Sequence, residues 1–198
     1  MTQLSLFSAD LTPPQLGDLG GLLAAHGHMA VSGDGVRLSI LLTDTWRAEA
    51  LLRECRVRDV PSQIVDSDIA DDARPGVVLR TDRTPTLHQL AADWVRGAVK
   101  AVPAGLVLSP GMLRCWTIAA GRPGEIGYVL GLDPHAPDTH EPLAAACAAA
   151  GLAGSLLGLR GGGPAMRIVG HRRCVRFAEM IGTAPPEAPP GAFPSFDH

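Results

Sequence analysis

One order of elements occurs twice along this chain, and a duplication of that kind restricts the fold more than any single motif. In each half, hydrophobic period and turn chemistry give a helix, a strand pair, a second helix, a second strand pair and a third helix. The first round starts with a helix from Pro13 to about Ala25, followed by a strand at His28 to Val31, a Ser32-Gly33-Asp34-Gly35 turn and an alternating strand at Val36 to Leu42. Asp44 or Thr45 caps a helix with Trp46, Ala50, Leu51 and Cys55 on one face. Strands at Pro61 to Asp66 and Gly76 to Arg80 flank an acidic loop, Asp68 to Asp72, and Thr84-Pro85 opens a helix through Leu87, Leu90, Ala91, Trp94, Val95 and Ala98. The second round opens at Ser109-Pro110, with a helix through Met112, Cys115, Trp116 and Ala119 to Gly121 and a strand at Ile126 to Leu132. Thr139 caps a helix from Glu141 to Ala150, strands follow at Gly154 to Arg160 and Ala165 to Val169, and a helix from His171 turns Cys174, Phe177, Ala178 and Ile181 inward. The units are therefore residues 13–102 and 106–182, flanked by a flexible peptide, 1–12, and a proline-rich tail, 183–198, that is disordered or draped.

The first helix of the first unit has an unusual surface. Leu19, Leu22 and Leu23 make one apolar face, while Gly20, Gly21, Ala24 and Ala25 remove bulk beside it. Helical glycine costs about 0.5–1 kcal/mol relative to alanine, so a consecutive pair predicts a second backbone close by. Gly27 supplies the stop, where a left-handed residue closes a helix. The repeat supplies the neighbour: Gly20, Gly21 and Ala24 are expected to meet Cys115 and Ala119 of the helix ending at Gly121.

Composition narrows the class. Hydrophobic residues make up 46% and charged residues 19%, which suits a packed soluble chain rather than a disordered one. Net charge is −3, so any polyanion binding must rest on a local patch. Cys55, Cys115, Cys147 and Cys174 show no paired metal spacing and read as reduced thiols in a cytoplasmic protein. The long uncharged run from Pro142 to Leu159 contains Gly151 and Gly154 and reads as helix then strand, not as a membrane span.

Leu19-Gly20-Gly21-Leu22-Leu23-Ala24-Ala25-His26-Gly27 resembles the nine-residue signature of the LAGLIDADG homing endonucleases, and the duplicated element order is similar to that family's single-chain architecture. The second copy, Leu113 to Gly121, keeps the leading leucine, small Cys115 and the Ala-x-Gly ending, but Arg114 and Trp116 depart from the pattern. The resemblance implies an α+β fold of two pseudo-symmetric αββαββα repeats, with two signature helices crossing at the axis and saddle-shaped antiparallel sheets that straddle DNA. In the family each signature helix ends in a carboxylate that holds divalent metal for phosphodiester cleavage. Here those positions are His26 and Ala120. Magnesium needs oxygen ligands, which an imidazole and a methyl do not provide. Asp18 and Asp34 are badly placed to replace them, and His26-x-His28 lacks a second ligand pair. The chain is therefore expected to lack nuclease activity, metal and cofactor.

DNA contact without cleavage remains open on this reading. The family's sheets present alternate side chains to the major groove, and the resemblance makes Arg37, Ser39, Gln63, Arg80, Tyr128, Arg160 and Arg167 candidates. Arginine is the preferred reader of guanine edges. Arg172, Arg173 and Arg176 add local basicity for phosphates.

Gln3-Leu4-Ser5-Leu6-Phe7 resembles, at every position, the motif by which bacterial polymerases and repair proteins dock on the sliding clamp, the beta subunit of DNA polymerase III. In that mode Gln3 hydrogen-bonds at one pocket while Leu6 and Phe7 fill an apolar groove. The expectation is a non-enzymatic accessory protein of replication or repair at the replisome, tethered to the clamp, with double-stranded DNA as a second partner. The alternatives are an endonuclease with a divergent active site and a transcription regulator on the same fold.

Overall fold

The computed structural model describes residues 8–66 and 76–195. The pentapeptide Gln3 to Phe7 and the acidic loop Asp68 to Asp72 lie outside the described residues.

The chain enters the first repeat through a short 3-10 turn, Leu16–Leu19, continuing into α1, Gly20–Ala24. The expected start at Pro13 is too early, because Gln15 is extended (φ −117°, ψ 146°) and its amide donates to the Asp18 carboxylate at 2.8 Å. Then come β1 (His28–Ser32), β2 (Gly35–Leu42), α2 (Thr45–Arg56), β3 (Ser62–Asp66), β4 (Val77–Thr81) and α3 (His88–Trp94). A two-residue hairpin, β5 (Val95–Arg96) and β6 (Val99–Lys100), leads to the second repeat. That repeat comprises α4 (Pro110–Ala120), β7 (Gly121–Pro123), β8 (Tyr128–Gly131), α5 (His140–Ala149), β9 (Gly154–Leu157), β10 (Ala165–Ile168) and α6 (His171–Ile181). The αββαββα order is present twice. Each repeat builds one four-stranded antiparallel sheet of the same topology, β1-β2-β4-β3 and β7-β8-β10-β9.

Three expectations shift. Val95 and Ala98 do not extend α3: Gly97 turns at φ +64°, a conformation that favours glycine, and β-branched Val95 and Val99 enter a hairpin in which Val95 pairs with Lys100 and Val99 with Arg96. The strand expected at Ile126 to Leu132 is present as β8, Tyr128–Gly131, but it has an unexpected partner, β7, which starts directly at the end of α4 and leads through Gly127 (φ +71°) into β8. Gly27 closes α1 without left-handed geometry. What it needs is size, since a Cβ there would lie 2.5 Å from the Leu22 carbonyl oxygen.

Alternation puts Val36, Leu38, Ile40 and Leu42 of β2 inward, beneath α1, α2 and α3. In the second sheet Tyr128, Leu130, Met166 and Ile168 take the same role under Phe177 and Ile181 of α6. α1 lies along α4 at the centre. Gly21 is the point of closest approach: a methyl there would sit 2.3 Å from Met112 O, 2.6 Å from Trp116 N and 2.9 Å from Cys115 Cβ. A methyl on Gly20 would instead sit 3.0 Å from the Trp94 indole of α3, so the two adjacent glycines serve two different neighbours. Ala24, Cys115 and Ala119 are all buried in the same core. Trp116, foreign to the signature, is fully buried and donates its indole N–H to Gly131 O at 2.8 Å.

Both flanks are tied down where they are described. Ser8 is buried, Ala9 donates to Met180 O at 2.8 Å, and the Asp10 carboxylate accepts from the Thr183 amide and hydroxyl at 2.7 Å. Over residues 183–195 the tail is draped, not disordered: Phe193 is buried, Tyr128 donates its hydroxyl to Ala192 O at 2.8 Å, and Glu187 pairs with Arg53. Among the described residues no helix is long and apolar enough to cross a membrane.

Candidate nucleic-acid interface

Strand register decides which side chains leave each sheet on the face away from the helices. In the first sheet His28 pairs with Ser39, Ser39 with Arg80 and Arg80 with Gln63, so these four form one row across all strands. Ala30 and Arg37 stand in the neighbouring row. In the second sheet the matching row is Arg122, Val129, Arg167 and Ser155. Arg80 and Arg167 therefore occupy equivalent positions in the two repeats. These rows hold no Asp or Glu, so four arginines (37, 80, 122 and 167) face outward unopposed within them. Arg37 and Arg167 each keep an Nε buried without a hydrogen-bond partner, a cost that an acceptor on the outer face would remove. His28 has its pKa lowered, by burial first and then by Lys100 and Arg80, with Asp133 acting the other way.

At the C-terminal ends of α1 and α4 lies a cleft of about 270 Å³, lined by His26, Leu41, Asp44, Arg47, Ala120 and Arg122 among others. His26 places Nε2 2.6 Å from Leu41 O. Arg47, from the first turn of α2, spends all its nitrogens here. Nη1 donates to Ile118 O at 2.7 Å and Thr117 O at 3.4 Å, Nη2 to Gly121 O at 2.7 Å, and Nε to Asp44 at 2.9 Å.

No family model and no curated protein matches the chain. Solved structures do. The homing endonuclease I-WcaI bound to its DNA recognition sequence has a TM-score of 0.65 at 14% identity, over 91% of this chain and 83% of that one. The fold is LAGLIDADG-like. The N-terminal LAGLIDADG domain of DUF199/WhiA gives a TM-score of 0.58 at 14% identity, covering 93% of this chain and 96% of that domain. Full-length DUF199/WhiA from Thermotoga maritima gives 0.59 at 15%, with 85% of this chain matched to 55% of that one.

The divalent cation that this LAGLIDADG-like fold implies does not fit the helix-end cleft. His26 and Ala120 supply no oxygen, and Asp44 is held by Arg47. Among the described residues no group of three or more His, Cys, Asp or Glu is placed to hold a metal.

The opposite ends of the central helices carry a different cluster. Asp18 accepts from Arg58 at 2.8 Å and from the Ser109 hydroxyl at 2.5 Å, and it lies so close to Gly111 that a methyl there would meet Oδ2 at 2.3 Å. Arg58 also binds Glu54 at 2.7 Å, and Glu54 binds Arg114 at 2.7 Å. Arg114 continues to Ile181 O and Thr183 O, at 2.9 and 2.6 Å. The buried chain of charges joins the repeats, which explains why Arg114 stands in the second signature.

Of the sequence candidates, Arg37, Ser39, Gln63, Arg80 and Arg167 share the outward sheet faces. Tyr128 does not. It is buried on the inner face against Phe177, with its pKa raised mainly by burial. Arg160 is exposed in the turn after β9. Arg172 and Arg173 are exposed on α6, in the helical layer rather than on the sheet face, and Arg173 bonds back to Val169 O at 3.3 Å. Arg47, Lys100 and Arg122 escaped sequence reading. Lys100 alone carried a signal, as the single lysine of the chain.

Proposed function

We propose that this protein binds double-stranded DNA across the outer faces of its two sheets without cleaving it, as an accessory protein of bacterial replication or repair tethered to the sliding clamp through Gln3 to Phe7. The carrying observation is the pair of matched rows in which Arg37, Arg80, Arg122 and Arg167 face outward with no carboxylate among them. Guanidinium groups neutralise phosphates and make bidentate contacts to guanine. The similarity to an endonuclease bound to its recognition DNA supports DNA as the ligand class.

The tether rests on the five specified positions of the pentapeptide, Gln3-Leu4-Ser5-Leu6-Phe7. Capture of the purified clamp by the wild type, but not by a Leu6→Ala, Phe7→Ala variant, supports the tether. Equal capture by both, or by neither, removes it.

The endonuclease neighbour keeps a cleaving reading in view. Magnesium-dependent nicking of plasmid DNA that copurifies with the protein and is abolished by Arg47→Ala would establish that reading and overturn ours.

A further inference from the structure

The two central helices end on the same device. Two residues beyond β2 stands Asp44, and two residues beyond β8 stands Asp133, so the repeats place a carboxylate at matching points. Each carboxylate holds a protein cation, and each cation is planted on helix-end carbonyls of the repeat opposite the one that supplies the carboxylate. Asp44 holds Arg47, which donates at 2.7 Å to Ile118 O of α4 and to Gly121 O, just past its end. Asp133 holds Lys100 at 2.5 Å, and Lys100 donates at 3.0 Å to the carbonyl of Ala25, the residue that caps the end of α1. The side chains of Lys100 and Asp133 are 11% and 10% exposed, so that pair is poorly screened by water, whereas Arg47 is buried at 13% and its partner Asp44 reaches solvent at 49%. Burial works against the Asp133 charge, but hydrogen bonds from Lys100 and the His135 amide overcome it and lower the pKa below the ordinary range.

A helix C-terminus carries roughly half a negative charge on carbonyls without intrahelical partners. Two such ends meeting near a symmetry axis repel one another unless cations lie between them. A divalent metal on two carboxylates is one solution, and the residues here do not support it. We propose that Arg47 and Lys100 are built-in replacements for divalent cations at the junction of the two repeats, so that folding and ligand binding are metal-independent and the junction is closed to metals by its own side chains. Asp44 and Asp133 are then retained to orient the protein cations, rather than to ligate ions. The inference rests on the fold and the local geometry, not on DNA binding, and its test contains no DNA, so the two readings fail separately.

The probe is Tb³⁺, with luminescence sensitised by Trp46, whose ring centroid lies 4.7 Å from the Arg47 guanidinium. The wild type is expected to give no saturable signal, and its Tm to be the same in EDTA, Mg²⁺ or Ca²⁺. Arg47→Met with Lys100→Met frees both carboxylates and both helix ends. That variant is expected to gain a saturable Tb³⁺ signal, at least about tenfold tighter than any wild-type response, and a Tm that rises with Ca²⁺. Wild-type Tb³⁺ binding that Mg²⁺ displaces would overturn the proposal, as would a folded double variant that stays silent. If the double variant does not fold, the wild-type titration still decides: silence with a metal-insensitive Tm supports the replacement, and a competed signal overturns it.

Discussion

Gly21 and Gly17 lie four residues apart and should respond oppositely to the same change. A methyl on Gly21 would overlap Met112 O and Trp116 N, both backbone atoms that cannot swing aside, so Gly21→Ala is expected to lower stability by about 3 kcal/mol in urea unfolding. Nothing lies within 4 Å of the corresponding position on Gly17, and Gly17→Ala should be neutral or slightly stabilising. The sequence made the small face of α1 legible, but it could not assign neighbours. Gly20 was expected on α4 and instead meets Trp94, because adjacent helical residues point about 100° apart. His28 makes a pH-dependent prediction. Its folded pKa is depressed below 6.5, so as pH falls through 6.5 the unfolded chain takes up the proton first. Its stability contribution is therefore full above 6.5 and declines as pH falls toward the folded value. A phosphate over the row of His28 and Arg80 would reverse that depression. DNA affinity is expected to rise between pH 7.5 and 5.5 (about a unit either side of an ordinary histidine), and anisotropy titrations of His28→Gln should lose that dependence.

α4 is an element whose two ends are both completed by the other repeat. Asp18 lies against its first turn beside the Ser109 cap, and Arg47 covers its last carbonyls. An anion at the start and a cation at the end complement the helix dipole, so the first repeat stabilises the second electrostatically as well as through leucine burial. Arg114→Leu leaves Glu54 with Arg58 alone and takes the donor from Ile181 O and Thr183 O, and should cost about 2 kcal/mol, measured by chemical denaturation. The tail should behave as part of the fold. Phe193→Ala removes a ring that is 4% exposed and stacked under Arg114, and is expected to cost about 3 kcal/mol. An unchanged Tm for that variant would mean the tail is not held. Periodicity identified the long elements correctly, because α2, α4, α5 and α6 each carry enough residues to show a face. It missed β7 and the β5–β6 hairpin, which are two or three residues long and have no period to read. A proline-rich composition likewise says that a tail cannot form helix or ladder, but not that a single phenylalanine will pin it to the core.

At the scale of the molecule, duplication was the legible part: two equivalent units imply two equivalent sheets, and the strand orders match. The candidate surface was only half legible. Alternation picked out Arg37, Arg80 and Arg167, but Tyr128 was assigned to the wrong face, and Arg122 fell in a strand too short to recognise. The helix-end cations were invisible, since Arg47 and Lys100 reach carbonyls more than 70 positions away in sequence. What the whole molecule is built to do can be settled by fluorescence anisotropy on a duplex DNA at several salt concentrations, comparing the wild type with Arg37→Ala, Arg80→Ala, Arg122→Ala, Arg167→Ala combined. The wild type is expected to bind with a steep salt dependence, and the fourfold variant to bind more weakly with a slope shallower by up to about 0.9 for each lost phosphate contact. Identical affinity and slope for both proteins would contradict DNA binding by the sheet faces.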